Sequence, residues 1–79
     1  MSEAAARIES LLRRRGAGKT ICPSEVARDL AGEGDDWRAL MEEVHVAVDD
    51  MFAADRVALS WKGKPLSRRD GPYRIGMPE

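Results

Sequence analysis

The apolar pattern of this chain changes its period once, from helical to strand-like, and that change limits the folds available to it. Through residue 54 the apolar side chains recur at intervals of three and four, the spacing of one helix face. From residue 57 they alternate with polar or small side chains, as in a strand with one buried face. A chain of 79 residues has room for one small core, so the helices and strands must share it. The sequence predicts a single α+β domain over residues 1–79.

Three helices follow from the spacing and from the residues that begin and end them. They are predicted to cover residues 3–15, 23–31 and 36–54. Pro23 suits the first helical position because its missing N–H would have no partner there, and Glu25 can accept a hydrogen bond from the Cys22 amide. Asp35 or Asp36 is predicted to cap the third helix, which carries the longest apolar stripe.

Two strands are predicted after the helices, at residues 57–62 and 73–77, with residues 63–72 as a loop between them. Thr20-Ile21 is too short for more than a strand stub. The order of helix, strand stub, helix, helix, strand, loop and strand is that of a winged helix, a helix-turn-helix followed by a β-hairpin. We call residues 63–72 the wing loop.

The charges are sorted into three blocks along the chain. Residues 1–24 carry five basic and two acidic side chains, a net charge of +3. Residues 25–55 carry two basic and ten acidic side chains, a net charge of −8. Residues 56–79 carry six basic and two acidic side chains, a net charge of +4, so the total of −1 conceals an acidic middle between two basic ends. The local field, rather than the net charge, steers a polyanion toward a surface.

The basic loop of the predicted hairpin is the strongest indication of a binding site. Four side chains, which we call the wing cations, lie in or beside the wing loop: Lys62, Lys64, Arg68 and Arg69. Lysine and arginine on a short loop framed by Gly and Pro neutralise nucleic-acid phosphates and release counterions. Trp61 and Arg38 are candidate additional contacts, and Arg13, Arg14 and Arg15 are candidate auxiliary cations. The alternative is a basic hairpin that is merely solvated.

The acidic third helix opposes the usual winged-helix contact. A helix that enters the major groove brings Arg, Lys, Asn or Gln to the base edges. This one brings Asp35, Asp36 and Glu42 together with Arg38 at its N-terminal end. We therefore expect low sequence specificity. The rival hypothesis is a protein-interaction module whose acidic third helix binds a basic partner. Neither the type of nucleic acid nor the oligomeric state follows from the sequence.

No residue pattern indicates catalysis, a metal or a cofactor. His45 is predicted on the solvated face, where Glu42 and Asp49 would stabilise its cation, and no nucleophile accompanies it. Cys22 is predicted to be a small buried or capping side chain. Gly18-Lys19-Thr20 is similar to the end of a phosphate-binding P-loop, but Arg13 stands where that motif needs Gly. The expectation is a domain without enzymatic activity.

Trp37 and Trp61 both lie on apolar stripes, and core packing is the favoured interpretation for each. For Trp61, at a strand end beside the wing loop, stacking on a base is the alternative. The absence of a long apolar run predicts no membrane contact, and a lone cysteine suits a reducing cytoplasm.

Several motifs together resemble a small bacterial family known only as a domain of unknown function, over roughly residues 8–77. They are Cys22-Pro23-Ser24-Glu25-Val26-Ala27-Arg28, Trp37-Arg38-Ala39-Leu40-Met41, Val44, Lys62-Gly63-Lys64-Pro65 and Gly71-Pro72-Tyr73-Arg74. The resemblance implies a winged helix in a bacterial cytosol, and no catalytic residues. Two positions depart from the family pattern: His45 replaces an arginine, and Asp55 replaces a glycine that ends the third helix. The second change is expected to cost some stability.

Overall fold

The computed structural model describes residues 2–33 and 36–78, and it combines helices with a four-stranded antiparallel sheet. The α-helices are α1 (Glu3–Arg15), α2 (Pro23–Ala31) and α3 (Met41–Ala53), and a 3₁₀ helix (Trp37–Leu40) precedes α3. The strands are β1 (Thr20–Ile21), β2 (Ala58–Trp61), β3 (Lys64–Leu66) and β4 (Arg74–Gly76). The predicted α+β class is confirmed, and the arrangement is consistent with a winged-helix-like fold.

The first two helices begin and end where the sequence predicts. The Ser2 hydroxyl caps α1 by accepting from the Ala5 amide at 3.1 Å. At α2, the Glu25 carboxylate accepts from the Cys22 amide, also at 3.1 Å, and Pro23 occupies the first turn. The two hydrogen bonds supply partners to amide N–H groups at the helix starts that have none within the helix. Pro23 has no N–H group and needs no partner there.

The third predicted helix differs because its first turn is a 3₁₀ helix. The Asp36 carboxylate accepts from the Arg38 amide at 3.0 Å and fixes the start of this turn, while Asp35 lies outside the described residues. The tighter winding, which is frequent at helix N-termini, packs the half-buried Trp37 and Leu40 against the rest of the core. The α-helix proper ends at Ala53.

The sheet has the order β1-β4-β2-β3. The predicted strand stub, Thr20–Ile21, pairs with β4, and β4 pairs with β2, as expected for a winged-helix-like hairpin. The prediction of an unstructured wing loop at 63–72 is wrong for its first part, because Lys64–Leu66 forms β3 and pairs with β2. The two flanking strands are also shorter than the predicted 57–62 and 73–77.

A two-residue turn explains the additional strand. Lys62 and Gly63 both have positive φ, 51° and 80°, between the paired residues Trp61 and Lys64. Positive φ at both central positions is typical of the tight turn whose twist matches a right-twisted hairpin. Lysine rarely adopts this conformation, so the sequence signal is weaker than that of Asn-Gly or Asp-Gly.

One core joins the helices to the inner face of the sheet. Ile21, Ile75 and Leu59 lie side by side across β1, β4 and β2, and all three are buried. The helices contribute the buried side chains of Ile8, Leu12, Val26, Val44, Val48 and Met51, among others. Core packing is confirmed in part for Trp37, which is half-buried against the core. It is wrong for Trp61, the last residue of β2, which is 38% exposed.

The C-terminus of α3 is closed by a left-handed residue. Asp55 has φ of 59°, the Asp55 amide donates to the Phe52 carbonyl at 3.1 Å, and the Arg56 amide donates to the Met51 carbonyl at 2.8 Å. This pair of bonds is the Schellman arrangement, which normally places glycine at the position of Asp55. The aspartate therefore keeps the geometry of the cap at some conformational cost. Within the described residues, no helix has the length and apolar character needed to span a bilayer.

Candidate nucleic-acid interface

The tip of the β2–β3 hairpin presents two of the wing cations on a rigid element. Lys62 lies in the turn and Lys64 in β3, and both side chains are exposed. Neither makes an ion pair with any residue in the described part of the chain. Trp61 is paired with Lys64 across the hairpin and is partly exposed beside it. The structure therefore brings together Lys62, Lys64 and Trp61 at one tip.

Arg69 is held by the acidic helix rather than projecting into solvent. Its Nε and Nη2 donate to the two carboxylate oxygens of Asp49 at 2.9 and 3.0 Å. These hydrogen bonds lower the pKa of Asp49 and raise the pKa of Arg69. A phosphate that bound Arg69 would have to compete with a carboxylate already in place. Arg69 thus ties the wing loop to α3.

Arg68 remains available, with its side chain 82% exposed and its nearest acidic partner, Asp70, at 3.9 Å. An ion pair this long between two solvated side chains contributes little. Arg38 is also exposed, but its guanidinium lies over the Trp37 ring at 4.6 Å, and that of Arg28 lies over the same ring at 4.5 Å. Arg38 lies in the 3₁₀ helix before α3, where the Asp36 carboxylate accepts from its backbone amide, so it has an acidic neighbour that Lys62 and Lys64 lack among the described residues.

The prediction that His45 is a solvated cation is wrong. His45 is half-buried, and its Nδ1 lies 2.7 Å from the Tyr73 hydroxyl. Burial lowers the pKa of His45, assisted by the positive charge of Arg69, and the nearby carboxylates of Glu42 and Asp49 oppose this only in part. Burial also raises the pKa of the Tyr73 hydroxyl. The imidazole therefore supports the junction between α3 and the strand region that follows the wing loop.

Cys22 occupies the N-cap position of α2, with its thiol sulfur 3.0 Å from the Ser24 hydroxyl. Over residues 2–33 and 36–78, no three His, Cys, Asp or Glu side chains come together as a metal site would require.

Ion pairing divides the cations of the molecule into two populations. Five arginines have acidic partners within the described residues. The pairs are Arg7 with Asp29, Arg15 with Glu25, Arg56 with Glu9, Arg69 with Asp49 and, at 4.0 Å, Arg74 with Glu25. Arg13, Arg14, Lys19, Lys62 and Lys64 make no ion pair with any described residue. Of the auxiliary cations suggested by the sequence, Arg15 is thus used internally, whereas Arg13 and Arg14 are not.

A groove on the outer face of the sheet is the feature that sequence reasoning missed. It has a volume of about 700 Å³, and residues that line it include Lys19, Thr20, Ala58, Ser60, Gly63, Pro65 and Gly76. Small residues at outward strand positions were the available signal. These residues form one surface only because β1 pairs with β4, and a strand of two residues is too short for that pairing to be predicted from the sequence.

The fold and the separation of charge define a winged-helix-like α+β domain with a basic hairpin and an acidic third helix. The chain belongs to the family described as "Protein of unknown function (DUF3253)", which it matches over residues 1–78. A search of curated proteins gives no significant match.

Proposed function

We propose that this domain is a non-catalytic nucleic-acid-binding module that contacts phosphates through its basic hairpin with low sequence specificity. The observation that carries the proposal is the β2–β3 turn, which projects Lys62 and Lys64 from a paired, two-stranded element without acidic partners among the described residues. Arg68 adds a third exposed cation. Lysine and arginine in such positions bind phosphate without reading bases. A bacterial cytosolic setting is part of the proposal.

The acidic face of α3 supports low specificity. Glu42, Glu43 and Asp50 are exposed on this helix, and they would repel a phosphate backbone brought close to it. Contact through the hairpin keeps the nucleic acid at the basic end of the molecule. The expected affinity is that of non-specific binding, with Kd of about 10⁻⁴–10⁻⁶ M near physiological salt.

The test is fluorescence anisotropy with a labelled duplex and a labelled single strand at several salt concentrations. The double variant Lys62→Glu/Lys64→Glu should nearly abolish binding, because two attractive contacts become repulsive. Arg28→Glu/Arg38→Glu is the matched control, since it makes the same change of charge at a different exposed place. Circular dichroism and thermal midpoints must show that both variants are folded.

Three results would contradict the proposal. The first is an absence of binding by the wild-type protein at low salt. The second is binding that does not weaken as salt is raised. The third is an equal loss of affinity in the hairpin variant and in the control, which would mean that net charge rather than the hairpin determines binding.

The second candidate is a protein-interaction module that uses α3. The specific observation in its favour is Val46, which is 52% exposed in the middle of an otherwise acidic helix face. An apolar residue surrounded by carboxylates is complementary to a basic amphipathic segment. Weak or absent nucleic-acid binding, together with binding of a Lys-rich amphipathic peptide that Val46→Ser removes, would favour this candidate over the first.

A further inference from the structure

The groove on the outer face of the sheet lies between two loops, each with a cation that makes no ion pair among residues 2–33 and 36–78. The loop from α1 to β1 forms one wall and includes Lys19, while the β2–β3 hairpin forms the other and includes Gly63. The sheet order places β1 and β3 at opposite edges, so the groove extends across the sheet. At about 4.8 Å between neighbouring strands, the distance from edge to edge is about 14 Å. This suits one extended chain.

The floor of the groove is built mainly of small side chains, and Arg74, which pairs with Ser60, donates from its Nε to the Thr20 hydroxyl at 2.7 Å on the same face. Thr20, Gly76 and Ala58 are in register across β1, β4 and β2, and Ser60 lies in the next row opposite Pro65. At Gly76 a Cβ would come within 3.3 Å of the Thr20 Cγ2, so the floor is closely packed even without a side chain there. Gly76 is buried, so the Thr20 and Ala58 side chains on either side of it form the surface of the groove in this row.

The charges around the groove favour an anionic ligand. Lys19 lines it at the β1 edge, and Lys62 lies in the turn beside the lining residue Gly63 at the β3 edge; neither makes an ion pair within the described residues. Lys64 pairs with Trp61 and lies on the opposite face of the sheet from Ser60 and Pro65, so it does not take part in the groove. Arg13 and Arg14 end α1 just before the loop that forms the first wall. The carboxylate of Glu25 is already paired with Arg15 and lies 4.0 Å from Arg74.

We infer that this groove binds one strand of nucleic acid, with phosphates in contact with Lys19 on one side and with Lys62 on the other. The inference rests on the proposed function and assigns the path of the ligand to the sheet rather than to α3. The described residues that line the groove include no aromatic side chain, so bases would rest on small residues without a stacking platform. Binding would then depend on contacts to the phosphates, which carry no sequence information.

The first measurement uses a labelled oligothymidylate of about ten nucleotides, within the range of site sizes that small domains cover. Lys19→Gln removes one cation from the wall opposite the hairpin and should raise Kd about fivefold at low salt. It should also reduce the slope of log K against log salt by about 0.7, the value for one phosphate contact on a single strand. Arg38→Gln removes the same charge outside the groove and should change neither quantity.

The second measurement obstructs the groove without changing any charge. Ser60→Ile places a larger side chain on the floor, and a β-branched residue suits a strand, so folding should be retained. We expect at least a threefold loss of affinity. Ser67→Ile, in the exposed wing loop outside the groove, is the matched control and should bind as the wild type does. Thermal midpoints of both variants establish that they are folded.

The inference is overturned if Lys19→Gln and Arg38→Gln behave alike, or if Ser60→Ile retains full affinity. Stronger binding of a duplex than of the single strand would also overturn it, as would displacement of the oligonucleotide by an acidic peptide at equal charge concentration. In each of these cases the wild type still binds nucleic acid, and the hairpin variants still test the proposed function separately. Failure of the wild type to bind any nucleic acid would overturn both.

Discussion

The β2–β3 hairpin and the outward face of α3 carry opposite charges, and they differ in how those charges are stabilised. On the hairpin, Lys62 and Lys64 make no ion pair within the described residues, whereas Asp49 on α3 is held by Arg69 of the wing loop. One carboxylate of the helix, that of Asp49, therefore binds the wing loop through Arg69. Under the proposed function, the charge of the hairpin tip is available to phosphates.

This difference shows that sequence position alone does not decide which cations of a basic segment are available. Arg68 and Arg69 are adjacent, yet one is 82% exposed and the other donates two hydrogen bonds to a carboxylate. The two arginines differ because α3 places Asp49 within hydrogen-bond distance of Arg69. A charge block read from sequence thus contains both binding candidates and structural ion pairs.

The largest expected effect comes from the core that the hairpin and the helices share. Leu59 is 2% exposed, and Leu59→Ala should destabilise the domain by about 2–4 kcal/mol, because it removes buried methyl groups and leaves a cavity. Val46→Ala on the exposed face of α3 is the control and should leave the thermal midpoint nearly unchanged. Equal midpoints for Leu59→Ala and the wild type would mean that the hairpin is not packed as described.

The next effect concerns the ion pair between the two regions. Asp49→Asn should weaken the hold on Arg69 and cost about 0.5–1 kcal/mol, as expected for a partly solvated pair. If the hairpin binds phosphates, the same change should increase nucleic-acid affinity about threefold, because it frees a cation and removes an acid beside it. Asp50→Asn removes the same charge without touching Arg69. An identical gain from both variants would show that the specific pair is irrelevant.

The low pKa of Asp49 gives this pair a defined pH dependence. A carboxylate whose pKa is lower in the folded than in the unfolded state adds stability above its unfolded value of about 4, and that contribution is lost as pH falls through the folded value. The stability difference between wild type and Asp49→Asn should therefore be constant near neutral pH and shrink below about pH 4.

An effect of similar size and opposite sign is expected where α3 leads into β2. Asp55→Gly should raise the free energy of unfolding by about 0.5–1 kcal/mol, because glycine adopts φ of 59° with less strain than aspartate. Urea denaturation of the two proteins measures this. Asp55→Ala, which cannot ease the strain, is the control and should not stabilise. An unchanged midpoint for Asp55→Gly would mean that the aspartate is accommodated without cost.

The elements that local rules specify were predictable from the sequence. Pro23 and Glu25 define the start of α2, and the alternation of Leu59 and Ile75 with polar or small residues identifies buried strand faces. The strand at Lys64–Leu66 was not predictable with the same rules, because it depends on lysine adopting a left-handed conformation in a two-residue turn. The conformational cost of the positive φ at Lys62 is offset only when β2 and β3 pair.

The candidate site was predictable in its charge but not in its geometry. Lys62 and Lys64 are evident from composition, whereas their separation from Arg69 depends on a contact with Asp49, 20 residues away along the chain. The juxtaposition of Lys19 with the hairpin depends on the order of the strands in the sheet. Long-range pairing of this kind is not encoded in any local window.

The smallest effect is expected from His45, which links α3 to the residues that follow the wing loop. Four groups bear on its titration: Glu42 and Asp49 from its own helix, Arg69 from the wing loop, and the Tyr73 hydroxyl at 2.7 Å. Burial and Arg69 outweigh the two carboxylates, so the pKa of His45 is lower in the folded state than its unfolded value of about 6.5.

The sign of the effect follows from this shift. The folded state favours the neutral imidazole, so the His45 contribution to stability is fully present above about pH 6.5 and is lost as pH falls through the lower, folded value. The thermal midpoint of the wild type should therefore decline slightly more between pH 7 and pH 5 than that of His45→Gln, which cannot titrate. Tyr73→Phe removes the hydroxyl but leaves the histidine and should retain most of the pH dependence. The contrary result is a wild-type midpoint that rises on acidification relative to that of His45→Gln. It would mean that the carboxylates of Glu42 and Asp49 raise the pKa of His45 by more than burial and Arg69 lower it. The acidic helix, rather than the junction with the basic hairpin, would then determine the charge of the histidine.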